Sequence, residues 1–498
     1  MKNTIVLAAL AIILSMMSCT DKFLDLRPKG YENYTTYTDT SHLNKSILVE
    51  AKLMQAYGTL RSWAFAWSGL AMNNYTTPDV EKGSTPTDGG ADIVSFKTLS
   101  FTASNAPIKD YYTSCYSTIY YANEAVALIA ALSDTVPLAK RNTYSAEALF
   151  LRSVMYYRLA QAYGGVPWVD KVLAQTDKTP ARSTREEIWS NIEKDLLYAI
   201  PFLPTRQALT ASGNQGRATQ NAARAVLAKA YLYEKKWSEA LAQTSAIIAS
   251  GDNNRSTPYA DIFTEANEYG PESVFEVYCD SKPTLKIDLS SQFGQIQGIR
   301  GLPNLGWGFN APSLVLMNAY EPGDPRKAAS VIANGDVLEG RTVRADAAGY
   351  QYFNKKAYTL ASERSLYGRS TDPQAYWLNI RVIRYADVLL MHAEAACELG
   401  NTTEALDKLE MVRARARAGN NAVLPKITTT DQTELRAKIH QERRIELAME
   451  WERFYDLVRW GEAKTAITNF VTGKHELFPI PQTEIDRSGG LITQNPGY

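Results

Sequence analysis

The stretch NAARAVLAKAYLYEKKWSEALAQTSAIIASG (221–251) determines the predicted fold. Counted from Asn221, positions 7, 8, 11 and 20 hold the small and large residues by which paired helices of a tetratricopeptide repeat interlock. These residues are Leu227, Ala228, Tyr231 and Ala240. Such helical pairs bury their apolar faces only by stacking on neighbouring pairs. The stretch therefore predicts one helical pair within a larger helical stack.

Two other segments resemble this pattern. LAQAY (159–163) echoes LAKAY (227–231), and residues 386–417 repeat the spacing less completely. The small residues of the third copy are Ala393, Ala396 and Ala405. The distances between copies are irregular, so we do not expect an uninterrupted solenoid. An ordinary helical bundle, in which Leu/Ala/Tyr helices are also common, stays an alternative.

Apolar residues at helical spacing predict further helices, with recognisable ends. The predicted spans are 41–61, 108–133, 144–163 and a helix from Ser183 or Thr184 to Ile200. The third should stop at Gly164-Gly165 and the fourth before Pro201, because these residues typically end helices.

Residues 62–107 and 252–378 are rich in Gly, Pro, Asn, Asp and Ser, and their short apolar runs include SVFEVYC (273–279). We predict long loops there, with a few short strands. The predicted fold is mainly α. It has a helical tetratricopeptide-like body (41–61 and 108–251), an irregular loop-rich subdomain (62–107 and 252–378) and a C-terminal helical region (379–498).

The first 18 residues, MKNTIVLAALAIILSMMS, combine Lys2 with an apolar run of about thirteen residues. A membrane-spanning helix needs ~20 residues, whereas a secretory signal has a shorter core. Ser18 precedes Cys19, which is the pattern of a bacterial lipoprotein signal. We predict removal of residues 1–18, lipidation of Cys19 and a polar tether over 19–40. A plain signal peptide with an incidental cysteine is the alternative.

The amino-acid composition bears on nucleic-acid binding and on the chemistry of the four cysteines. The 498 residues include 53 Lys+Arg and 53 Asp+Glu, and this balance gives no support for nucleic-acid binding, which needs a basic surface. No pair among Cys19, Cys115, Cys279 and Cys397 has the spacing of a zinc or redox motif. Apart from Cys19, either two of the cysteines pair or all three are buried thiols. We expect buried thiols.

Long sequence blocks, in a characteristic order, are similar to those of the SusD/RagB family of surface nutrient-binding lipoproteins. The blocks include DYYTSCYSTIYYANEAV (110–126), AEALFLRSVMYYRLAQAYGGVPWV (146–169), GWGFNAPSLVLMNAYEPGDPRK (306–327), ERRIELAMEWERFYDLVRWG (442–461) and FPIPQTEIDRSGGLITQNPGY (478–498). The resemblance runs from Cys19 to Tyr498.

The resemblance implies a lipid-anchored protein on the outer-membrane surface. It also implies a partner, a SusC-like TonB-dependent transporter barrel over which such a protein sits as a lid. The transporter would supply the energy for uptake, so no cofactor or metal is expected. The expected ligand is an oligosaccharide, and a peptide is the alternative within the family.

Aromatic and polar residues of the predicted loops are the candidate ligand contacts, because rings stack on sugars and amides or carboxylates bond to hydroxyls. The candidates are Trp63, Trp67, Asn73, Asn74, Asp79, Trp307, Tyr367, Tyr376 and Trp377. Trp307 could equally be a packing anchor. The polar candidates could instead satisfy their own loop backbone.

No catalytic site is predicted. The alternating charges of 442–461 favour structural Arg–carboxylate pairs over a catalytic carboxylate pair. The four histidines show no metal-ligand spacing, and no nucleophile or phosphate-binding motif is present. A surface glycoside hydrolase stays an alternative, because the fold sets the separation of its two carboxylates. A pure interaction scaffold is a further alternative.

Overall fold

The computed structural model describes residues 45–132, 136–174, 177–178, 180–300, 306–346, 348–371 and 376–498. Residues 48–498 form one compact unit, and of the unit that precedes it only residues 45–47 are described. The predicted signal (1–18), the lipidation site Cys19 and the tether (19–40) lie outside the described residues. The predicted division of the chain into functional regions stays a prediction.

Helices dominate the described residues. They are α1 (Lys45–Thr59), α2 (Trp63–Leu70), α3 (Gly90–Thr98), α4 (Ala106–Ala130), α5 (Leu138–Tyr163), α6 (Arg185–Ala199), α7 (Arg206–Ser212), α8 (Gln220–Tyr233), α9 (Trp237–Ser250), α10 (Phe293–Gln297), α11 (Leu314–Met317), α12 (Arg326–Ser330), α13 (Ala361–Arg364), α14 (Tyr385–Glu398), α15 (Thr402–Arg417), α16 (Gln432–Glu446), α17 (Arg453–Arg459), α18 (Ala463–Ala466) and α19 (Gln482–Arg487). A π-helical turn, Ala71–Tyr75, continues α2.

Short strands join in antiparallel pairs. They are β1 (Val80–Gly83), β2 (Ser273–Val277), β3 (Asp280–Lys282), β4 (Ile287–Leu289), β5 (Phe309–Pro312), β6 (Val331–Ala333), β7 (Val337–Leu338), β8 (Arg341–Thr342), β9 (Tyr352–Asn354) and β10 (Ile380–Arg384). The pairs are β1–β5, β2–β10, β3–β4, β6–β9 and β7–β8. The predicted mainly α fold with a few short strands is confirmed.

The helices stack in sequence, as the repeat pattern predicts. Contacts run from α4 to α5, from α5 to α6, from α6 to α8, from α8 to α9, from α9 to α14 and from α14 to α15. The small and large residues that predicted this interlocking are buried in the shared core: Leu227, Ala228, Tyr231, Ala240, Ala393, Ala396 and Ala405. Removing this apolar surface from water is the main force that holds the stack together.

Two predicted helix ends are confirmed with their capping residues. Thr184 forms a capping box with Glu187: its hydroxyl accepts from the Glu187 amide at 3.1 Å, and the carboxylate accepts from the Thr184 amide at 2.7 Å. Gly164, with φ of +73°, ends α5. Both ends agree with the sequence because they depend on local chemistry alone.

The prediction of long loops over residues 62–107 is wrong for two parts of that segment. WAFAWSGL forms α2, and GADIVSFKT forms α3. The first helix is apolar on nearly every side and therefore lacks the amphipathic period by which helices are recognised. Its N-terminus is capped by Ser62, whose Oγ accepts from the Phe65 amide at 3.3 Å.

The charged segment 442–461 forms structural ion pairs, as predicted. Arg384 contacts Glu446 at 3.0 Å and Glu450 at 2.7 Å, and it also reaches Glu272 beside β2 at 2.9 Å. Arg384, Glu446 and Glu272 are almost fully buried, so the charge of Arg384 is stable only with its carboxylate partners in place. This network of ion pairs links the end of β10 and the residue before β2 to the end of α16 and the segment that follows it.

The three described cysteines are unpaired and buried, which confirms the expectation of buried thiols. They are Cys115, Cys279 and Cys397. Burial raises the pKa of Cys279 to about 12 and that of Cys397 to about 11. Both thiols therefore stay protonated at neutral pH.

Candidate functional site

A stacked pair of tryptophans marks the surface of α2. Trp63 and Trp67 are four residues apart and so lie on one face of the helix. Their ring centroids are 5.1 Å apart with an interplanar angle of 15°. Trp63 remains 41% exposed, whereas Phe65, on the same helix, is buried in the core. The helix therefore packs on the core through one face and exposes the indole ring of Trp63 on another.

The β1–β5 pair brings Trp307 to this helix from a distant part of the sequence. Trp307 meets Trp63 edge-on, with centroids 5.5 Å apart and an angle of 64°. Phe309, at the start of β5, supports Trp67 edge-on at 4.8 Å. Trp63, Trp67 and Trp307 form what we call the tryptophan platform. Three of the predicted ligand contacts thus come together.

A close approach of two backbones fixes the position of the platform. Gly83 ends β1 opposite Phe309, and a Cβ on Gly83 would lie 2.1 Å from the carbonyl oxygen of Gly308. Gly83 also has φ of +76°, which side chains rarely adopt. Only glycine fits at this position, so Gly83 sets the distance between β1 and the segment that carries Trp307.

A polar group that the sequence analysis did not identify borders the platform. Arg300 Nη1 donates to Ser84 Oγ at 2.5 Å, to Asp88 Oδ2 at 2.6 Å and to the Trp307 carbonyl at 3.4 Å. Hydrogen bonds from Ser84 and Thr85, together with Arg300, hold the pKa of the Asp88 carboxyl well below its usual range. Asp88 is therefore an anion at neutral pH.

Three polar candidates lie inside the fold. Asn74 donates to Asn310 Oδ1 at 3.1 Å and to the Met449 carbonyl at 3.2 Å. Asp79 accepts two hydrogen bonds from Arg444 Nε at 3.0 and 3.1 Å. Asn73 is also fully buried. In this structure these side chains are not accessible to a surface ligand.

The remaining aromatic candidates are divided between surface and core. Tyr376 and Trp377 are buried, and Arg369 covers the Trp377 ring at 4.2 Å. Tyr367 is 46% exposed. Among the described residues, no ring contact joins Tyr367 to the tryptophan platform.

Of the residues missed, Phe309 follows Trp307 by two positions, the spacing at which side chains of a strand share one face. Arg300, Ser84 and Asp88 belong to polar stretches in which nothing local distinguishes them. No cluster of potential metal ligands is present in the part of the chain that the structure describes.

Comparison with known proteins identifies the family. Residues 271–476 match the model described as "SusD family", and residues 22–232 match one described as "Starch-binding associating with outer membrane". The chain belongs to the SusD/RagB family. SusD-like protein P2 of Formosa agariphila is 25% identical, and the alignment covers 98% of each chain. A SusD-like protein of Bacteroides ovatus is 25% identical over 92% of this chain and 83% of its own.

Solved SusD-like structures share the fold. A laminarin-binding SusD-like protein is 26% identical, with a TM-score of 0.74 and coverage of 91% of this chain and 99% of that one. A SusD homologue from Bacteroides thetaiotaomicron is 22% identical, with a TM-score of 0.79 over 94% of this chain and 99% of its own. Across the described residues of this SusD/RagB protein, no helix has the length and apolar character of a membrane span.

Proposed function

We propose that this protein binds glycans at the cell surface, captures an oligosaccharide on the tryptophan platform and passes it to a TonB-dependent outer-membrane transporter. The exposed Trp63, stacked on Trp67, is the observation that carries the proposal. Apolar ring surface beside polar groups suits a sugar, which has C–H faces and a hydroxyl rim. The laminarin-binding relative supports the same ligand class.

The arrangement of the platform also bears on the shape of the ligand. Trp307 is inclined by 64° to Trp63, so the two rings form a corner and not a flat strip. A curved chain, such as a β-1,3- or α-1,4-linked glucan, can follow a corner better than a flat β-1,4-linked chain. The probes are therefore laminarihexaose, maltoheptaose and cellohexaose.

Binding is tested by titration calorimetry on the chain that lacks residues 1–19. We expect Trp63→Ala to weaken binding by about tenfold or more, because ~1.4 kcal/mol of lost contact corresponds to a factor of ten. The matched control is Tyr198→Ala, which removes an aromatic residue of similar exposure, 44%, that packs on Phe202. Equal affinity of both variants and the wild type would contradict the proposed site.

The proposal assigns no reaction to this chain. Asp88, a carboxylate that borders the platform, is held as an anion by hydrogen bonds from Ser84, Thr85 and Arg300, so it has no proton to donate to a departing sugar. Incubation of each probe with the purified chain should therefore release no new reducing ends. Turnover of any probe would favour the glycoside hydrolase alternative. Binding of peptides in place of glycans would favour the peptide-capturing alternative.

Membrane attachment and the transporter partner belong to the same proposal. Cys19 would carry the lipid, and the family model that names outer-membrane association supports this location. Palmitate labelling of cells should mark the wild type but not Cys19→Ser. Surface protease should degrade the protein on intact cells, and affinity purification from solubilised outer membranes should recover a TonB-dependent barrel with it.

A further inference from the structure

Arg300 lies directly beside the tryptophan platform, and its side chain is only partly satisfied. All three of its hydrogen bonds leave from Nη1. Among the described residues, no acceptor contacts Nε or Nη2. The side chain is 41% exposed, so a ligand can reach it.

Because Nη1 of Arg300 is held in place, the direction of the two remaining donors, Nε and Nη2, is fixed. Ser84 and Asp88 hold Nη1 from one side, and Ser84 is itself tied to the platform because its amide donates to the Gly308 carbonyl at 2.8 Å. The backbone adds a further restraint, since Arg300 forms a parallel bridge with Gly306. A guanidinium held in this way presents Nε and Nη2 as a fork for two adjacent oxygen atoms.

Two kinds of sugar carry such oxygen pairs: vicinal hydroxyls of an uncharged sugar, and the carboxylate or sulfate of an acidic one. The charge around Arg300 distinguishes them. Asp88 lies 2.6 Å from Nη1 and neutralises the guanidinium. Lys82, which donates to the Thr85 and Asp88 carbonyls at 2.7 and 3.0 Å, and Asp346, which is near enough to act on it electrostatically, add one positive and one negative charge. Nε and Nη2 of Arg300 can therefore donate hydrogen bonds, but the guanidinium carries no uncompensated positive charge.

We infer that Arg300, held by Asp88, is a specificity-determining residue that binds adjacent hydroxyls of an uncharged sugar and disfavours uronic or sulfated sugars. This inference rests on the proposed function. The inference extends the proposed function by naming the charge class of the sugar and the residue, Arg300, that selects it.

The test compares neutral probes (laminarihexaose, maltoheptaose and cellohexaose) with an acidic one, an oligogalacturonate hexamer. We expect the wild type to bind at least one neutral glycan more tightly than the acidic one. Arg300→Met should weaken neutral binding by about tenfold, the scale of a charge-assisted hydrogen bond. Arg300→Lys should remain impaired, because it keeps the charge but loses the fork. The control, Arg487→Met, removes an exposed arginine paired with Glu484 and should bind as the wild type does.

Asp88→Asn provides the second, independent readout. It leaves an oxygen for Ser84 and Arg300 but removes the neutralising charge, so affinity for the oligogalacturonate should rise about threefold or more at low salt. Thermal melting checks that each variant folds.

The outcomes separate this inference from the proposed function. Loss of binding in Trp63→Ala with none in Arg300→Met overturns the role of Arg300 and leaves the platform standing. A wild type that prefers the acidic probe, or an Asp88→Asn variant that gains no affinity for it, overturns the charge argument. A wild type that binds none of the glycans overturns both proposals.

Discussion

Gly83 and Gly308 face each other so closely that the space for a single methyl group is missing: a Cβ on Gly83 would sit 2.1 Å from the Gly308 carbonyl oxygen. This contact joins two segments that are far apart in sequence and places Trp307 against Trp63. The platform therefore depends on a residue that itself has no side chain.

Gly83→Ala should destabilise the fold and disrupt the platform. A positive φ costs a side chain about 1–2 kcal/mol, and the backbone clash adds to this, so we expect a loss of roughly 3 kcal/mol or more in urea unfolding. The control is Gly335→Ala, where φ is +97° but no atom lies within 4 Å, and which should lose only the conformational part. Equal losses in the two variants would show that the clash is relieved by a local shift.

Asp79→Asn tests whether Asp79 is a structural residue. Its carboxylate accepts from Arg444 and lies 3.5 Å from Arg453, inside the protein. Removal of one partner from a buried ion pair typically costs about 3–5 kcal/mol, because the remaining charge is left unpaired. Denaturant unfolding should show that loss, and the exposed-pair variant Arg487→Met should stay within about 0.5 kcal/mol of the wild type. A folded Asp79→Asn chain of normal stability that has lost glycan affinity would instead return Asp79 to the ligand site.

Glu268 should make stability depend on pH in the direction opposite to most acidic groups. Burial raises its pKa from 4.5 to about 8, although Arg381 and the Asn379 amide oppose this. Between these values the folded state binds more protons than the unfolded state, so this contribution to stability is complete below pH 4.5 and lost as pH rises towards 8. Glu268→Gln removes the titration. Its stability relative to the wild type should therefore increase from pH 5 to 8, by on the order of 2 kcal/mol, and then level off.

The control for that experiment is Glu239→Gln, which makes the same carboxylate-to-amide change on the exposed face of α9. Urea unfolding at five pH values measures both variants. Parallel curves for Glu268→Gln and the wild type would show that Glu268 titrates normally.

The described thiols should be unreactive in the folded protein. Burial raises the pKa of Cys279 and Cys397, and Cys115 is fully buried. Ellman's reagent at pH 8 should modify none of them in the chain that lacks residues 1–19, and all three after unfolding in urea. Rapid reaction of a single thiol in the native protein would identify a local opening around it.

The helical body could be predicted because the patterns that determine it lie within short stretches of sequence. Leu227 and Ala240 reveal their burial by spacing alone, and Thr184 reveals a helix start by its own chemistry. Trp63, Trp67 and Trp307 could be selected as candidates by residue type and family resemblance. Their assembly into one platform could not be derived, because it depends on the β1–β5 pairing.

The remaining candidates show where sequence is insufficient. Asp79 is buried because Arg444, 365 positions later, folds onto it, and no local pattern records that partner. Arg300 and Asp88 are ordinary charges in their own segments and become a unit only in the fold. The topology of the fold decides which charges pair over long sequence distances, and residue type alone does not reveal it.

The stacking of Trp63 on Trp67 also has an optical consequence. Two indoles with nearly parallel planes and centroids 5.1 Å apart share their electronic excitation, so they should produce a paired band in the near-ultraviolet circular dichroism. A molecule settling on Trp63 would perturb that band directly. The protein thus contains an intrinsic chromophore pair through which occupancy can be followed without a label.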